Sequence, residues 1–318
     1  MNNIHSRLEM LPNETFIEIF QYLDIENLFR AFDNLNFRFN TILRNLNNLV
    51  CYLWDNNYTK MNSFISYIDT LIINCRININ FNYFTNIRYL KLTWLTDQIL
   101  EQLNTSTLRC LEHLFVKQLS CNCADILYDK IFSNTFPCLK SFYVCQNSSI
   151  IAKEWFVCLP VLCNLQIGII DLFVYVAILS KCPNLNIFKF LLKSRDISVC
   201  GKPHVNLKQM TIKSEDSNLL KYDSIINTCL SYVPNLERLS IHQVFFQVNI
   251  PYYLKTDWHA SSIANYLPLL HRFDYYFKIW YLVGINTKVI YTFDEMKRNF
   301  KSVHNDRYQS KFHSNLTC

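Results

Sequence analysis

Glycine is scarce in this sequence: only Gly168, Gly201 and Gly284 occur among 318 residues, and they lie far apart. Phosphate-binding loops and the strained turns that carry catalytic serines depend on closely spaced glycines, because a residue without a Cβ lets the backbone approach a ligand. The scarcity of glycine therefore excludes the mononucleotide-binding, dinucleotide-binding and Gly-x-Ser-x-Gly classes for this chain.

Signals for export and for membrane insertion are also lacking. The opening residues, MNNIHSRLEMLPNE, contain no apolar segment of the kind found in secretory signals. The longest apolar run, residues 165–179, is shorter than the ~20 residues of a membrane span and contains Asp171. We therefore expect no membrane contact, reduced thiols for the 13 cysteines, and a cytoplasmic or nuclear location.

Patterns for metal binding and catalysis are missing from the sequence too. Cys121 and Cys123 lack the C-x-x-C spacing and a nearby second pair, so no zinc site is expected. No H-E-x-x-H motif occurs, and nothing orients a nucleophile. We expect no metal, no cofactor and no catalytic residues, so the protein is not expected to be an enzyme.

The net charge is only mildly positive, +6 with a pI near 8.6. Dedicated nucleic-acid domains usually exceed pI 9 and concentrate the charge on one face, so nucleic acid is not the expected partner. A basic C-terminal tail could be read by nucleic acid or by an import receptor, but an exposed solubilising end is favoured. Its cations are Lys297, Arg298, Lys301, Arg307 and Lys311.

Residues 11–43 have the pattern of three short amphipathic helices. Pro12 suits the first turn of a helix over about residues 14–22, and Asp24 can cap a second helix. A third is expected over about residues 35–43. Apolar residues recur at helical spacing in each, and short connections join them, which predicts a small three-helix bundle with Phe16, Phe20 and Phe32 in its core.

This segment, roughly residues 9–50, resembles an F-box. The matching positions are Leu11, Pro12, Asn13 and Glu14 for the opening, Ile19, Phe20 and Leu23 for the first core, Leu28 and Phe29 for the next step, and Arg38 and Phe39 for the close. Phe39 departs from the family, since many members have Trp there. The resemblance implies docking onto a Skp-type adaptor that is bound to a cullin scaffold. The implied adaptor-facing or bundle-forming residues are Leu11, Pro12, Leu23, Leu28 and Phe39.

After residue 50 the pattern L-x-x-L-x-L, with other large apolar residues allowed, recurs nine times. The first anchors are spaced by 19, 24, 28, 23, 23, 22, 29 and 34 residues, mostly within the ~20–29 of leucine-rich repeats. Five prolines each stand two residues before a first anchor, which marks a turn before a strand. The first anchors are Ile68, Ile87, Leu111, Leu139, Leu162, Leu185, Leu207, Leu236 and Leu270.

These repeats resemble the divergent leucine-rich repeats that often follow an F-box, although the usual Asn is absent from most of them. The expected fold is α/β: an N-terminal three-helix bundle, then a curved solenoid with a parallel sheet on its concave face and helices outside. The predicted domains are 1–50 for the F-box-like bundle, 51–280 for the repeats, and 281–318 for a C-terminal cap and basic tail.

Side chains that alternate with the anchors are expected on the concave face of the sheet. Because aromatic residues among clustered cations favour recognition of acidic partners, this face is a candidate site for an acidic or phosphorylated protein segment. The alternative is an ordinary solvated sheet face, on which lysines maintain solubility. The candidate substrate-binding residues are Lys91, Phe115, Lys117, Tyr143, Lys189 and Lys213.

The two resemblances together imply a substrate-recognition subunit of an SCF-type (Skp-cullin-F-box) ubiquitin ligase. Its F-box would bind the adaptor and its repeats an unidentified protein substrate. The alternative that the sequence leaves open is a leucine-rich-repeat scaffold for protein binding, in which the helices only cap the repeats and no ubiquitin role exists.

Overall fold

The computed structural model describes residues 10–46, 49–54, 65–74, 76, 79–119, 121–145, 148–150, 156–193, 200–214, 219–245, 263, 265–280, 298 and 309–317. The protein has an α/β fold and forms two compact units, Met1–Cys123 and Ala124–Cys318. The boundary predicted at residue 50 does not coincide with this division, because the N-terminal helices belong to the same compact unit as the first four strands.

Three short helices open the described chain: α1 (Asn13–Phe20), α2 (Ile25–Phe32) and α3 (Phe37–Asn45). Asp24 caps α2 as predicted, since its side chain accepts a hydrogen bond from the Asn27 N–H at 2.9 Å. Asn36 caps α3 by accepting from the Phe39 N–H at 3.0 Å. Leu35 therefore lies outside α3, which begins two residues later than the sequence predicts.

Aromatic rings form the core of the helical segment. The Phe16 and Phe39 rings meet edge to face with centroids 4.8 Å apart, and Phe32 lies 4.7 Å from Phe20 and 5.3 Å from Phe39. Each such pair stabilises by about 0.5–1.5 kcal/mol beyond the area it buries. The prediction that Phe16, Phe20 and Phe32 are core residues is confirmed for the first two, which are buried, while Phe32 is half-buried at the edge of the cluster.

The first unit continues with four parallel strands, each paired with the next along the chain. Register places Leu71, Leu90 and Leu114 side by side across three of them. A short helix, α4 (Asp97–Gln102), connects the last two and is capped by Thr96. The strands are β1 (Val50–Leu53), β2 (Thr70–Ile73), β3 (Tyr89–Leu95) and β4 (His113–Leu119). The helix α5 (Cys121–Phe132) contains the boundary between the units.

The second unit contains seven strands in chain order, and every pair of successive strands is parallel. Its own helices are α6 (Leu172–Lys181), capped by Asp171, and α7 (Leu219–Ser231). The strands are β5 (Ser141–Val144), β6 (Asn164–Ile170), β7 (Ile187–Leu192), β8 (Gln209–Ser214), β9 (Arg238–Phe245), β10 (Arg272–Trp280) and β11 (Gln309–Thr317).

All nine apolar triplets fall where the sequence predicts strands, with the second and third anchors of each in β2 to β10. Every anchor is at most 5% exposed. The second anchors of neighbouring strands are register partners within each unit, as Phe188 is with Leu165 and Met210. The prediction of an α/β fold with a parallel sheet is therefore confirmed. The helices predicted near residues 171–181 and 222–233 correspond to α6 and α7.

A repeated set of backbone hydrogen bonds joins β3, β4 and β6 to β10 each to the strand before it. The Arg88 carbonyl accepts hydrogen bonds from both the Glu112 and His113 N–H groups at 2.8 Å. The same double acceptance recurs from β6 through β10, where one carbonyl receives two successive N–H groups. The acceptors are Asp69, Arg88, Lys140, Cys163, Asn186, Lys208 and Glu237. The recurrence of one local geometry makes these segments structural repeats, whatever the spacing between them.

Four asparagines add a side-chain ladder along the turns. Each stands directly before a first anchor and donates its Nδ2 to a backbone carbonyl of the preceding repeat. The bonds run from Asn86 to Ser66 at 2.6 Å, Asn184 to Pro160 at 2.7 Å, Asn206 to Pro183 at 2.9 Å and Asn235 to Val205 at 3.0 Å. The prolines predicted to mark turns lie in turns, and two of them supply ladder acceptors.

The predicted C-terminal cap and tail, 281–318, is described at Arg298 and over 309–317. There the chain forms β11, which pairs in parallel with β10 from Arg272 and Gln309 onward. The remainder of that segment, with Lys297, Lys301 and Arg307, lies outside the described residues. Within the described ranges, no helix has the length and apolar character that crossing a membrane requires.

Candidate functional site

The helical segment exposes a group of large apolar side chains, here called the N-terminal surface. Among the described residues, Tyr22 is 89% exposed and Phe37 is 85% exposed, although both follow or begin well-formed helices. Large apolar side chains left exposed along one short segment are typical of proteins that dock onto a partner. The members are Met10, Ile17, Ile19, Tyr22, Leu23, Leu35 and Phe37.

Arg38 on α3 holds the start of this segment in place. Its Nη2 donates to the Leu11 carbonyl, and its Nε donates to Asn13 Oδ1 at 2.8 Å. The guanidinium carbon also lies 5.2 Å from the centre of the Phe16 ring. Because a guanidinium donates in several fixed directions at once, one side chain fixes the Leu11–Pro12 backbone against α1 and α3.

The five residues predicted to serve adaptor binding separate into two groups. Leu23 and Pro12 are exposed and Leu11 is half-buried, so these three can contact another protein. Leu28 and Phe39 are 0% and 1% exposed, so we assign them to the core of the helices and correct their inclusion in a contact surface. Helical spacing marks them as apolar-face residues but does not distinguish a face covered by a neighbouring helix from one left open.

On the sheet, side chains that alternate with the anchors form the opposite face, here called the polar face. In the first unit, β3 and β4 bring together three of the six predicted substrate-binding residues. Lys91 and Phe115 are register partners, and the Lys91 ammonium lies 5.4 Å from the centre of the Phe115 ring. Lys117 is exposed two residues further along β4, on the same face.

The second unit carries the other three, Tyr143, Lys189 and Lys213. Register places Gln166 beside Tyr143 on one side and beside Lys189 on the other. Lys189 and Lys213 line a cavity of about 240 Å³, and Tyr143 is not among the residues that line it. The six predicted residues therefore do not form one set. Three of them lie in each unit.

The cavity, here called the basic cavity, is lined by residues of β6 to β9 and of the end of β5. Its apolar lining comes from Val144, Ile167, Phe190 and Leu191. Its polar lining comes from Cys145, Gln166, Lys189, Thr211, Lys213 and His242. Sequence reasoning placed Gln166, Thr211 and His242 on the polar face but did not select them, because it weighted charge and aromatic character and could not see which strands adjoin a gap.

A carboxylate, that of Asp274, lies among the cations of the polar face in β10. Asp274 is 5% exposed, and its Oδ2 accepts from Arg272 Nε at 2.8 Å. The guanidinium of Arg272 therefore compensates much of the negative charge of the Asp274 carboxylate. One strand separates Asp274 from Thr211, since Ser240 of β9 stands between them in register. The carboxylate does not line the basic cavity.

Buried thiols in this protein are structural. Burial and, to a smaller extent, the nearby Glu26 carboxylate together raise the pKa of the Cys51 thiol to about 12. Burial likewise raises the pKa of Cys182 to about 12 and that of Cys229 still higher. The thiolate is the nucleophile and the metal ligand, so these groups stay protonated and inert near neutral pH. Over the described ranges, no three His, Cys, Asp or Glu residues are grouped to hold a metal ion.

Comparison with known proteins adds no family assignment: neither a protein-family model nor a curated protein matches this chain.

Proposed function

We propose that this protein is the substrate-recognition subunit of an SCF-type ubiquitin ligase. Its N-terminal helices are an F-box that binds a Skp-type adaptor, itself bound to a cullin scaffold. The polar face of its leucine-rich repeats binds a protein substrate. The protein carries out no chemistry itself; it raises the effective concentration of the substrate near the ubiquitin carrier.

The N-terminal surface is the observation that carries this proposal. Residues 10–46 bury a compact aromatic core, yet they expose seven large apolar side chains. A monomer gains nothing from holding such side chains in water, whereas burying them against a partner yields about 25 cal/mol per Å² of apolar area. Arg38 adds support, because it orders the backbone beside the exposed Pro12 and so reduces the entropy lost on docking.

The repeats supply a second surface that is independent of the first. Successive strands place Lys91, Phe115 and Lys117 in one cluster and Lys189 with Lys213 in another. Parallel strands in register present such side chains at fixed spacing, ~4.8 Å from strand to strand. A rigid array of this kind suits recognition of an extended acidic segment, since little ordering is needed upon binding.

Capture of a purified Skp-type adaptor by the full chain tests the proposal. We expect the triple variant Leu11→Ala/Pro12→Ala/Leu23→Ala to bind the adaptor at least tenfold more weakly than the wild type. The matched control is Phe173→Ala, which removes an exposed apolar ring from α6 and should leave binding unchanged. Failure of the wild-type chain to bind the adaptor, or equal binding by the triple variant, would refute the F-box assignment.

A second candidate is a protein-binding scaffold whose helices only cap the repeats. It is favoured by one contact: the Phe29 ring of α2 stacks on Tyr67, just before β2, with centroids 5.8 Å apart. The helices also share a compact unit with β1 to β4. This candidate predicts no adaptor capture but undiminished binding of a target at the polar face.

A further inference from the structure

Phe37 is exposed at a helix position that does not favour its side chain. It is the first residue of α3, and it is 85% exposed. The first turn of a helix favours acidic residues or proline, because the helix dipole is positive there and the first N–H groups have no partner within the helix. Phenylalanine meets neither preference, and burial in the core does not compensate for it. The Phe37 ring is therefore a candidate contact to another molecule.

Hydrogen bonds fix the backbone around Phe37. Asn36 Oδ1 accepts from the Phe39 N–H at 3.0 Å, which starts the helix, and Thr41 Oγ1 donates to the Phe37 carbonyl at 2.8 Å. The ring thus projects from an ordered turn. A side chain on an ordered backbone loses little freedom when a partner covers it, so more of the contact energy appears as affinity.

The next residue, Arg38, joins this turn to the start of α1. Its Nη2 donates to the Leu11 carbonyl, and its Nε donates to Asn13 Oδ1 at 2.8 Å. Pro12 stands between these two acceptors in the chain and is exposed. A guanidinium donates in fixed directions, so Arg38 sets the distance between the Pro12 segment and the α3 turn that carries Phe37.

Tyr22 provides a comparison within the N-terminal surface. Its exposure, 89%, is similar to that of Phe37. It follows α1 in a turn in which its N–H donates to the Ile19 carbonyl at 3.1 Å. Arg38 contacts the other end of α1, at Asn13, and so supports Phe37 rather than Tyr22. Exposure alone does not rank the two rings, whereas their distance from Arg38 does.

The surface beside the Phe37 ring is concave. A depression of about 510 Å³ is lined by Asn36, Phe37, Arg38 and Phe39. The residues that dominate an interface are usually aromatic or Arg side chains that pack into such recesses and lose their water on binding. A partner can therefore cover the ring and also insert a side chain next to it.

We infer that Phe37 is the principal aromatic contact to the Skp-type adaptor, and that Arg38 is a positioning residue that holds Phe37 and Pro12 in one contact surface. The occupant follows from continuity with the proposed interface. Pro12 matches an adaptor-facing position of the F-box resemblance, and Arg38 joins Phe37 to it. The inference rests on the proposed function and deepens it, because the resemblance assigns no role to Phe37.

Calorimetric titration of the full chain with a purified Skp-type adaptor tests the role of Phe37. Phe37→Ala should weaken binding at least tenfold, as expected for a dominant aromatic contact. Its urea midpoint should stay unchanged, because the ring lies outside the core. Tyr22→Ala should weaken binding less than about threefold. The matched control is Phe173→Ala, which removes a half-exposed ring from α6 and should leave binding unchanged.

Variants of Asn13 test the positioning role of Arg38. Asn13→Ala removes the acceptor of the Arg38 Nε and should weaken binding about fivefold, the equivalent of one hydrogen bond. Asn13→Asp keeps an acceptor oxygen and should restore wild-type binding. In the Phe37→Ala background, Asn13→Ala should weaken binding by a smaller factor, because no ring remains to be positioned. A merely structural role would give the same factor in both backgrounds.

Three results would overturn the inference: binding by Phe37→Ala equal to that of the wild type, equal losses in Tyr22→Ala and Phe37→Ala, or an equal effect of Asn13→Ala in both backgrounds. Self-association of the full chain that Phe37→Ala abolishes without adaptor present would also overturn it, since the ring would then be a contact between copies.

The titration separates the inference from the proposed function. Absence of adaptor binding by the wild type overturns the F-box assignment and, with it, the inference. Wild-type binding that Leu11→Ala/Pro12→Ala/Leu23→Ala weakens and Phe37→Ala leaves unchanged overturns only the inference.

Discussion

The anchors of the strand repeats are covered more completely than several apolar side chains of the N-terminal helices. Every anchor of the nine triplets is at most 5% exposed, whereas Leu23 is 37% exposed and Phe37 is 85% exposed. Each repeat completes its core with the repeat beside it, so its apolar face is satisfied within the chain. Helices of eight or nine residues complete only part of theirs. The difference supports the proposal that the helices contact a partner.

The two regions also differ in the hydrogen bonds that stabilise the ends of their helices and the turns before their strands. The helices depend on individual caps, Asp24 for α2 and Asn36 for α3, each acting on one helix. The repeats use the same backbone pattern and the same asparagine position several times over. Damage to a cap should therefore stay local, whereas damage to the core of a repeat should affect its neighbours.

The largest effect is expected from Phe188→Ala in the repeats. Phe188 is fully buried on β7, and its ring centroid lies 4.6 Å from that of Phe190 and 5.9 Å from that of Tyr175. Removing the ring should lower the free energy of unfolding by about 3–5 kcal/mol. Urea denaturation measures the loss. Phe173→Ala, at a half-exposed ring on α6, is the control and should change it by less than ~0.5 kcal/mol. Similar losses in the two variants would contradict the division into buried and exposed rings.

An intermediate effect is expected from Asn184→Ala in the ladder. Its Nδ2 donates to the Pro160 carbonyl at 2.7 Å, and losing one such bond should lower the free energy of unfolding by about 1 kcal/mol. Asn184→Asp should cost a similar amount, because Asp keeps the size but loses the donor. Asn186→Ala, at an exposed position in the same turn, is the control. If Asn184→Asp were as stable as the wild type, the ladder would not contribute through donation.

The smallest effect on stability is expected from Leu23→Ala in the helices. Its side chain already faces water, so the free energy of unfolding should change by less than ~0.5 kcal/mol, while adaptor capture should fall severalfold. Leu28→Ala is the matched contrast. Leu28 is fully buried, so that variant should lose about 2–5 kcal/mol. If Leu23→Ala lowered the free energy of unfolding as much as Leu28→Ala, Leu23 would be a core residue and its assignment to the N-terminal surface would be wrong.

Sequence reasoning located the strands because each needs three apolar residues at fixed positions. It missed β1 and β11, where that requirement is not met. In β1 the first anchor would be Asn48, and in β11 the first two would be Arg307 and Ser310. These strands pair through backbone groups, which are the same in every residue. Edge strands of this kind leave little trace in side-chain pattern.

The candidate site was only partly predictable for a related reason. Alternation along a strand is local, so it correctly assigned Lys189, Lys213 and His242 to one face. The gap among them depends on the register of β6 against β7 and on the shift after Gln166, which involve residues more than twenty positions apart. Similarly, helical spacing found Leu28 and Phe39 but could not reveal which partner covers them.

The double acceptance of N–H groups by one carbonyl has a consequence for how this protein can change in length. The pattern is the same whether 22 residues separate successive first anchors, as for Leu185 and Leu207, or 29, as for Leu207 and Leu236. Loops can therefore grow or shrink without disturbing the junction between repeats. A whole repeat can be duplicated in the same way, which would widen the parallel sheet by ~4.8 Å and lengthen its polar face by one strand.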